Sequence, residues 1–114
     1  MGKQSSTIST VIPTLDRRHT LCRAINSVLK QTIPADEIII IDNGSTDGTL
    51  DMIQSEFPMV RFASQIKPGV SAARNMGISL ANSKWVALLD SDDAWAPNKL
   101  EKQIELSIDN SNSR

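Results

Sequence analysis

The chain has 114 residues, 39% of them hydrophobic and 22% charged, with a formal net charge of -1 at pH 7. That is the length of one domain with a single core, burying roughly two-thirds of its unfolded surface. The near-neutral balance excludes a general affinity for nucleic acid, the lack of a polybasic block excludes an electrostatic membrane anchor, and a lone cysteine, Cys22, excludes an internal disulfide.

Met1 to Ser9 lacks the apolar core of a signal peptide. Residues 1–7 are expected to be a flexible N-terminus. The longest apolar runs, Ile38–Ile41 and Trp85–Leu89, are too short to span a bilayer. With the unpaired cysteine, this sets the expected location as the cytoplasm. A longer parent could carry membrane segments elsewhere.

Ile8 to Ile12 is a β-branched run closed by Pro13, which predicts a first strand. Leu21, Ala24, Ile25, Val28 and Leu29 then form one helical stripe, and Pro34 stops its continuation. Glu37 to Ile41 holds four consecutive isoleucines, the pattern of a strand buried on both faces. Asn43 to Gly48 is a turn rich in capping residues. Leu50, Ile53 and Phe57 give a second stripe ending at Pro58, and Met59 to Ala63 is a weaker strand. Pro68-Gly69 opens a third helix with Val70, Ala73, Gly77 and Leu80 on one face. Gly77 costs that helix about 1 kcal/mol relative to alanine, so a close approach to a neighbouring backbone is expected there. Lys84 to Leu89 is a fourth strand. Pro97 suits the first position of a last helix carrying Leu100, Ile104 and Ile108, with residues 109–114 as a frayed tail.

Alternation of strand and helix four times over implies an α/β domain, residues 8–108, with a parallel sheet covered by helices on both faces. Ligands of such sheets bind outside the carboxyl ends of the strands, where strand order reverses. Three of the four strands deliver acids or amides to that rim: Asp16 after the first, Asp42 and Asn43 after the second, Asp90, Asp92 and Asp93 after the fourth. At Asp42 and Ser45, capping of the next helix explains the residue types as well as ligand binding does. Capping does not explain three carboxylates within four residues, which repel one another unless a hard cation relieves them. Mg²⁺ and Mn²⁺ suit such a carboxylate set together with substrate phosphates. In extended chain Asp90 and Asp92 would face one site and Ser91 another.

Other features are weaker. Pro68 to Ala72 could present backbone amides to phosphate or be a plain helix start. Arg74 could reach an anion or pair with Asp90 or Asp92. His19 reads as solvated surface, Cys22 as a small buried residue, and Trp85 as core, with Trp95 either core or a site wall. No His/Cys cluster suggests zinc, and no Gly-x-Gly-x-x-Gly suggests a dinucleotide.

Four stretches in order resemble the family 2 glycosyltransferases of the GT-A fold. They are Val11-Ile12-Pro13-Thr14 with Ser27 to Thr32, Ile41 to Thr49, Pro68 to Gly77, and Leu88 to Trp95. The resemblance implies a Rossmann-like parallel sheet that binds a nucleoside-diphosphate sugar, UDP or TDP type, as the N-terminal part of an enzyme of polysaccharide or cell-envelope biosynthesis. It implies a nucleotide site made by Pro13, Thr14, Asp16, Asp42, Asn43, Arg74, Asp90 and Ser91. Thr14 and Asp16 would line the nucleoside pocket, and Asp90 would meet the ribose or the metal through water. Asp92 would ligate Mn²⁺ or Mg²⁺ on the diphosphate, the acidic triplet standing as the DXD motif. Many members carry Asp at position 43, where its carboxylate accepts the N3–H of uracil; Asn43 can still accept through its amide oxygen. Lys67 stands where a neutral or acidic residue is frequent and adds positive charge near the phosphates.

The implied reaction is transfer of the sugar, with inversion, to a hydroxyl of a saccharide or lipid-linked acceptor. In a full-length parent this would run at the inner face of the membrane. In relatives the general base lies in the C-terminal acceptor half, so the catalytic residue is expected outside these 114 residues, and the isolated chain is expected not to transfer sugar alone. A missing half would leave apolar surface open to homo-oligomer formation. The rival readings are a haloacid-dehalogenase-type phosphatase using Asp90 and Asp92, a non-catalytic nucleotide-binding module, and a nucleotidyltransferase.

Overall fold

A computed structural model of the protein describes residues 8–32 and 34–101. The strands are β1 (Ile8–Thr14), β2 (Glu37–Asp42), β3 (Arg61–Ser64) and β4 (Trp85–Leu88), with helices α1 (Arg18–Leu29), α2 (Thr49–Glu56) and α3 (Val70–Leu80) between them. All pairings are parallel and the order is β3-β2-β1-β4. The chain therefore steps outward from β1 to β3, then returns across the sheet to lay β4 on the far side of β1. Crossovers in parallel sheets are right-handed, so this reversal moves the connecting helix to the opposite face. Ile12, Ile38 and Ile40 pack against α1 and α2, whereas Val11, Ile39 and Ile41 pack against Ala73 of α3. The isoleucine run is buried on both faces, as its composition predicts.

Pro13 does not end β1, which runs on through Thr14. The Val11 carbonyl accepts from Leu89 N–H, so odd-numbered residues of β1 turn their backbone toward β4. Pairing with β4 stops at Val11–Leu88. The donor that Pro13 lacks falls beyond that point, where the ladder asks for none.

The helices match their predicted stripes in part. Leu21, Ala24, Ile25 and Val28 are buried, but Leu29, at the helix end, is 46% exposed. The inner face of α2 is Thr49, Met52 and Ile53, rotated away from Leu50, while Phe57 packs inward just past the helix. Val70 also stays exposed; Ala73 and Gly77 form the buried line of α3. The approach expected at Gly77 is to a side chain, not to a backbone: a Cβ there would lie 2.2 Å from Val11 Cγ1 on β1. β3 starts two residues later than the hydrophobic run suggests, because Pro58 and Met59 turn, with Val60 N–H bonded to the Phe57 carbonyl.

At the end of the sheet away from the ligand rim, Glu37 ties four elements together. Its carboxylate accepts from Ser9 Oγ (2.6 Å), the Asn82 N–H (2.6 Å) and Arg61 Nη1 (3.0 Å). Arg61 also donates to the Leu80 carbonyl at 2.8 Å. Burial raises the pKa of Glu37, but these three donors together outweigh it and hold the carboxyl below its usual range.

After β4 the chain folds back over α1. Gln31 donates to the carbonyls of Ser27 and Ala96 and accepts from the Leu100 N–H, and Leu100 is fully buried against Ile8 and Ala87. Helical turning begins again at Lys99 to Glu101, two residues after the predicted Pro97 start. Ile104, Ile108 and the predicted tail lie outside the described residues, as do residues 1–7.

Candidate functional site

The strand reversal leaves a gap between the carboxyl ends of β1 and β4, and a cavity of about 380 Å³ opens there. Pro13, Thr14, Leu15 and Arg17 line it from the end of β1, and Asn43 from the end of β2. Gly69, Val70 and Ala73 form the α3 wall, and Asp90, Ser91 and Asp92 close the β4 side. Of the predicted site residues, Pro13, Thr14, Asn43, Asp90, Ser91 and Asp92 are thus gathered at one cavity. Thr14 is 4% exposed, and its hydroxyl is buried with no partner among the described residues.

The acidic segment is a turn, not extended chain. Asp93 N–H donates to the Asp90 carbonyl at 3.0 Å. The turn brings carboxylate oxygens of Asp90, Asp92 and Asp93 within 4.8 Å of one another, all exposed. Strand-like alternation is therefore not what makes them converge. Ser91 lines the same cavity, and Asp93 joins the cluster. Two arginines steady the turn: Arg74 Nη2 reaches Asp90 Oδ1 at 3.1 Å, and Arg23 Nη2 donates to the Asp92 carbonyl at 3.1 Å. Three hard oxygen donors on one tight turn fit a divalent cation of the Mg²⁺ or Mn²⁺ kind.

Three predicted residues sit behind the cavity lining. Asp42 accepts from the N–H groups of Gly44 (3.2 Å) and Ser45 (2.9 Å) and from the Ser45 hydroxyl. Asp16 has φ +51 and accepts the Thr46 N–H at 2.8 Å, while its own N–H donates to Ser45 Oγ at 2.8 Å. The two Asp16 bonds brace the rim loops after β1 and β2 against each other, and those of Asp42 close the β2 loop on itself. Asp47 adds a third brace: one oxygen accepts the Arg18 N–H at the start of α1, the other the Thr49 N–H and hydroxyl at the start of α2. The Thr49 hydroxyl is the main cause that lowers the pKa of Asp47. Arg74 stands beyond Asp90, beside a second cavity of about 460 Å³ that Trp95 also lines.

Asn43 uses its whole amide group. Nδ2 donates to the carbonyls of Gln65 (2.9 Å) and Lys67 (2.8 Å), and Oδ1 accepts the Gly69 N–H at 2.9 Å. Arg17 is the residue that sequence reasoning overlooked. It lies in the same charged stretch as His19, and only the rim geometry turns it into the cavity. Among the described residues its guanidinium has no ion-pair partner. His19 is exposed. Cys22 donates to Met52 Sδ at 3.3 Å, and burial, then Glu56, pushes its thiol pKa up, the opposite of what a nucleophile needs.

Comparison with known proteins identifies the family and the fold. An Escherichia coli protein named UDP-Glc:alpha-D-GlcNAc-diphosphoundecaprenol beta-1,3-glucosyltransferase WfgD is 35% identical over 90% of this chain and 42% of its own length. The putative teichuronic acid biosynthesis glycosyltransferase TuaG of Bacillus subtilis is 38% identical over 91% of this chain and 43% of its own. The chain thus spans less than half the length of these relatives. Among solved structures, S. aureus TarS in complex with UDP superposes with a TM-score of 0.79 at 23% identity, over 90% of this chain and 32% of that one. Glucosyl-3-phosphoglycerate synthase from Mycobacterium tuberculosis, in complex with Mn²⁺, UDP and glucosyl-3-phosphoglycerate, gives a TM-score of 0.65 at 26% identity, over 77% and 35%. The fold is that of the GT-A enzymes, and the haloacid-dehalogenase alternative falls away. The model of the family described as Glycosyl transferase family 2 matches residues 9–113, and the chain belongs to that family.

Proposed function

We propose that the cavity between β1 and β4 holds the nucleoside diphosphate of a sugar donor, UDP or TDP type, for transfer with inversion to a saccharide or lipid-linked acceptor. The observation that carries this is the convergence of the Asp90, Asp92 and Asp93 carboxylates beside a cavity at the strand-order reversal. Asp92 and Asp90 would hold the cation, with Asp93 at its flank. A Mn²⁺ or Mg²⁺ ion bound there supplies Lewis-acid stabilisation of the departing diphosphate.

The chain's own residues then divide the remaining work. Pro13, Thr14 and Leu15 offer a wall to the nucleoside. Arg17, which lines the same cavity as the acidic turn, supplies a positive charge for phosphate oxygens. Arg74 holds Asp90 in place, and Ser91 closes the floor. Asp16 and Asp42 act through the loops they brace. Among the described residues, the acids lining the cavity are Asp90 and Asp92, both assigned to the cation, so the general base and acceptor wall are assigned to the part of the relatives that this chain does not span. No helix among the described residues is long and apolar enough to cross a membrane. We place the reaction in the cytoplasm, at the inner membrane face where the acceptor is lipid-linked.

The test is saturation-transfer NMR with UDP-glucose, TDP-glucose, GDP-mannose and ADP-glucose in Mg²⁺. The proposal expects base and ribose signals from the pyrimidine donors above those from the purine donors. Equal signals from all four, or none, would overturn it.

A further inference from the structure

At the end of β2, Asn43 stands between the sheet and the segment leading into α3. Its own N–H is bonded to the Thr14 carbonyl at 2.9 Å, and the Gln65 N–H to the Asp42 carbonyl at 2.9 Å. Both ends are thereby anchored on the sheet. Beyond them, residues 66–69 cross open rim, with Ile66 96% exposed. What holds this span is the Asn43 amide: two donations to Gln65 and Lys67 carbonyls and one acceptance from Gly69 N–H. The Gln65 side chain adds two secondary ties: Oε1 accepts the Lys67 N–H at 3.0 Å within the span, and Nε2 donates to the Ala72 carbonyl of α3 at a longer 3.4 Å. Gly69, at φ +107, is the turn into α3, and Gly69, Val70 and Ala73 are the α3 wall of the cavity.

We infer that Asn43 is a positioning residue: its amide latches the 65–69 span to β2 and so sets the α3 wall of the cavity. The chemistry requires an amide. Two of the three bonds are donations to carbonyl oxygens, and an ionised carboxylate donates nothing. An aspartate at 43 would keep only the acceptance from Gly69 and would face two carbonyl oxygens with negative charge. Rotating the amide by half a turn fails for the same reason, which fixes its orientation. Latching leaves one lone pair on Oδ1 as the side chain's whole remaining capacity toward a ligand.

The ligand arm of the test rests on the proposed nucleotide site; the loop arm does not. Hydrogen exchange would be followed in the wild type, Asn43→Asp and Asn43→Ser, with the β1 and β2 core amides as internal control. At pH 7.5 exchange across residues 66–70 is expected to speed up at least tenfold in Asn43→Asp, with the core unchanged. In acid, protonation restores one donation, so the excess over wild type should shrink in Asn43→Asp but not in Asn43→Ser. UDP affinity in Mg²⁺ should fall at least fivefold in Asn43→Asp. Unchanged loop exchange in both variants, or an Asn43→Asp protein that binds UDP as tightly as wild type, would overturn the latch. A wild type that fails to bind UDP would count against the nucleotide reading alone, and loop exchange would then decide the latch.

Discussion

Gly77 of α3 lies so close to β1 that the methyl group it lacks would sit 2.2 Å from Val11 Cγ1. The glycine lets α3 settle onto β1, and α3 brings Val70 and Ala73 to the cavity. Replacing it with alanine gains about 1 kcal/mol of helix propensity. It also forces Val11 or the helix to move, and overpacking of this kind costs about 1–3 kcal/mol. Gly77→Ala should therefore lower the urea midpoint with an unchanged slope. A higher midpoint would mean that the contact relaxes freely.

Glu37 predicts a pH dependence of stability. Burial works against its ionised form, but the donors from Asn82, Ser9 and Arg61 prevail, and its folded pKa lies below the unfolded value. The stabilisation is therefore present above the unfolded pKa, about 4.3, and is lost as pH falls through the lower folded value. Glu37→Gln should cost about 1–3 kcal/mol at pH 7, with the deficit shrinking below pH ~4. Urea melts of both proteins across that range check this; a deficit independent of pH would assign the cost to packing.

Arg17 should matter to phosphate and not to the base. Arg17→Gln is expected to weaken UDP by about tenfold, or ~1.4 kcal/mol, and to leave uridine affinity unchanged. Equal losses for both ligands would show that Arg17 shapes the rim and does not meet phosphate.

Much of this fold was legible in the sequence because β1 and β2 are buried on both faces. A strand that must be apolar throughout, such as Ile38–Ile41, cannot be mistaken for a surface segment. The fold class and the strand-helix order follow from the alternation of strand and helix along the chain, and the four motif stretches point to the family. Tertiary placement was less legible. Leu29 and Leu50 obey helical spacing yet stay exposed, because spacing reports a stripe and not what covers it. The convergence of Asp90 with Asp92 was expected from extended chain and arises from a turn, which also recruits Asp93. The bonds of Asp42 stay within its own loop, in line with the capping pattern of Asp42 and Ser45, whereas those of Asp16 and Asn43 join residues from separate loops, and no local pattern announces them. Arg17 stayed hidden for the same reason: its role depends on where the β1 loop points.

Calorimetric titration of UDP into the wild type and Asp92→Asn, each in Mn²⁺ and in EDTA, asks whether a cation held by Asp92 carries the nucleotide. The wild type should bind in Mn²⁺ and lose that binding in EDTA, and Asp92→Asn in Mn²⁺ should bind at least tenfold more weakly, about 1.4 kcal/mol or more. UDP affinity that is the same with and without the cation, and the same in both proteins, would contradict it.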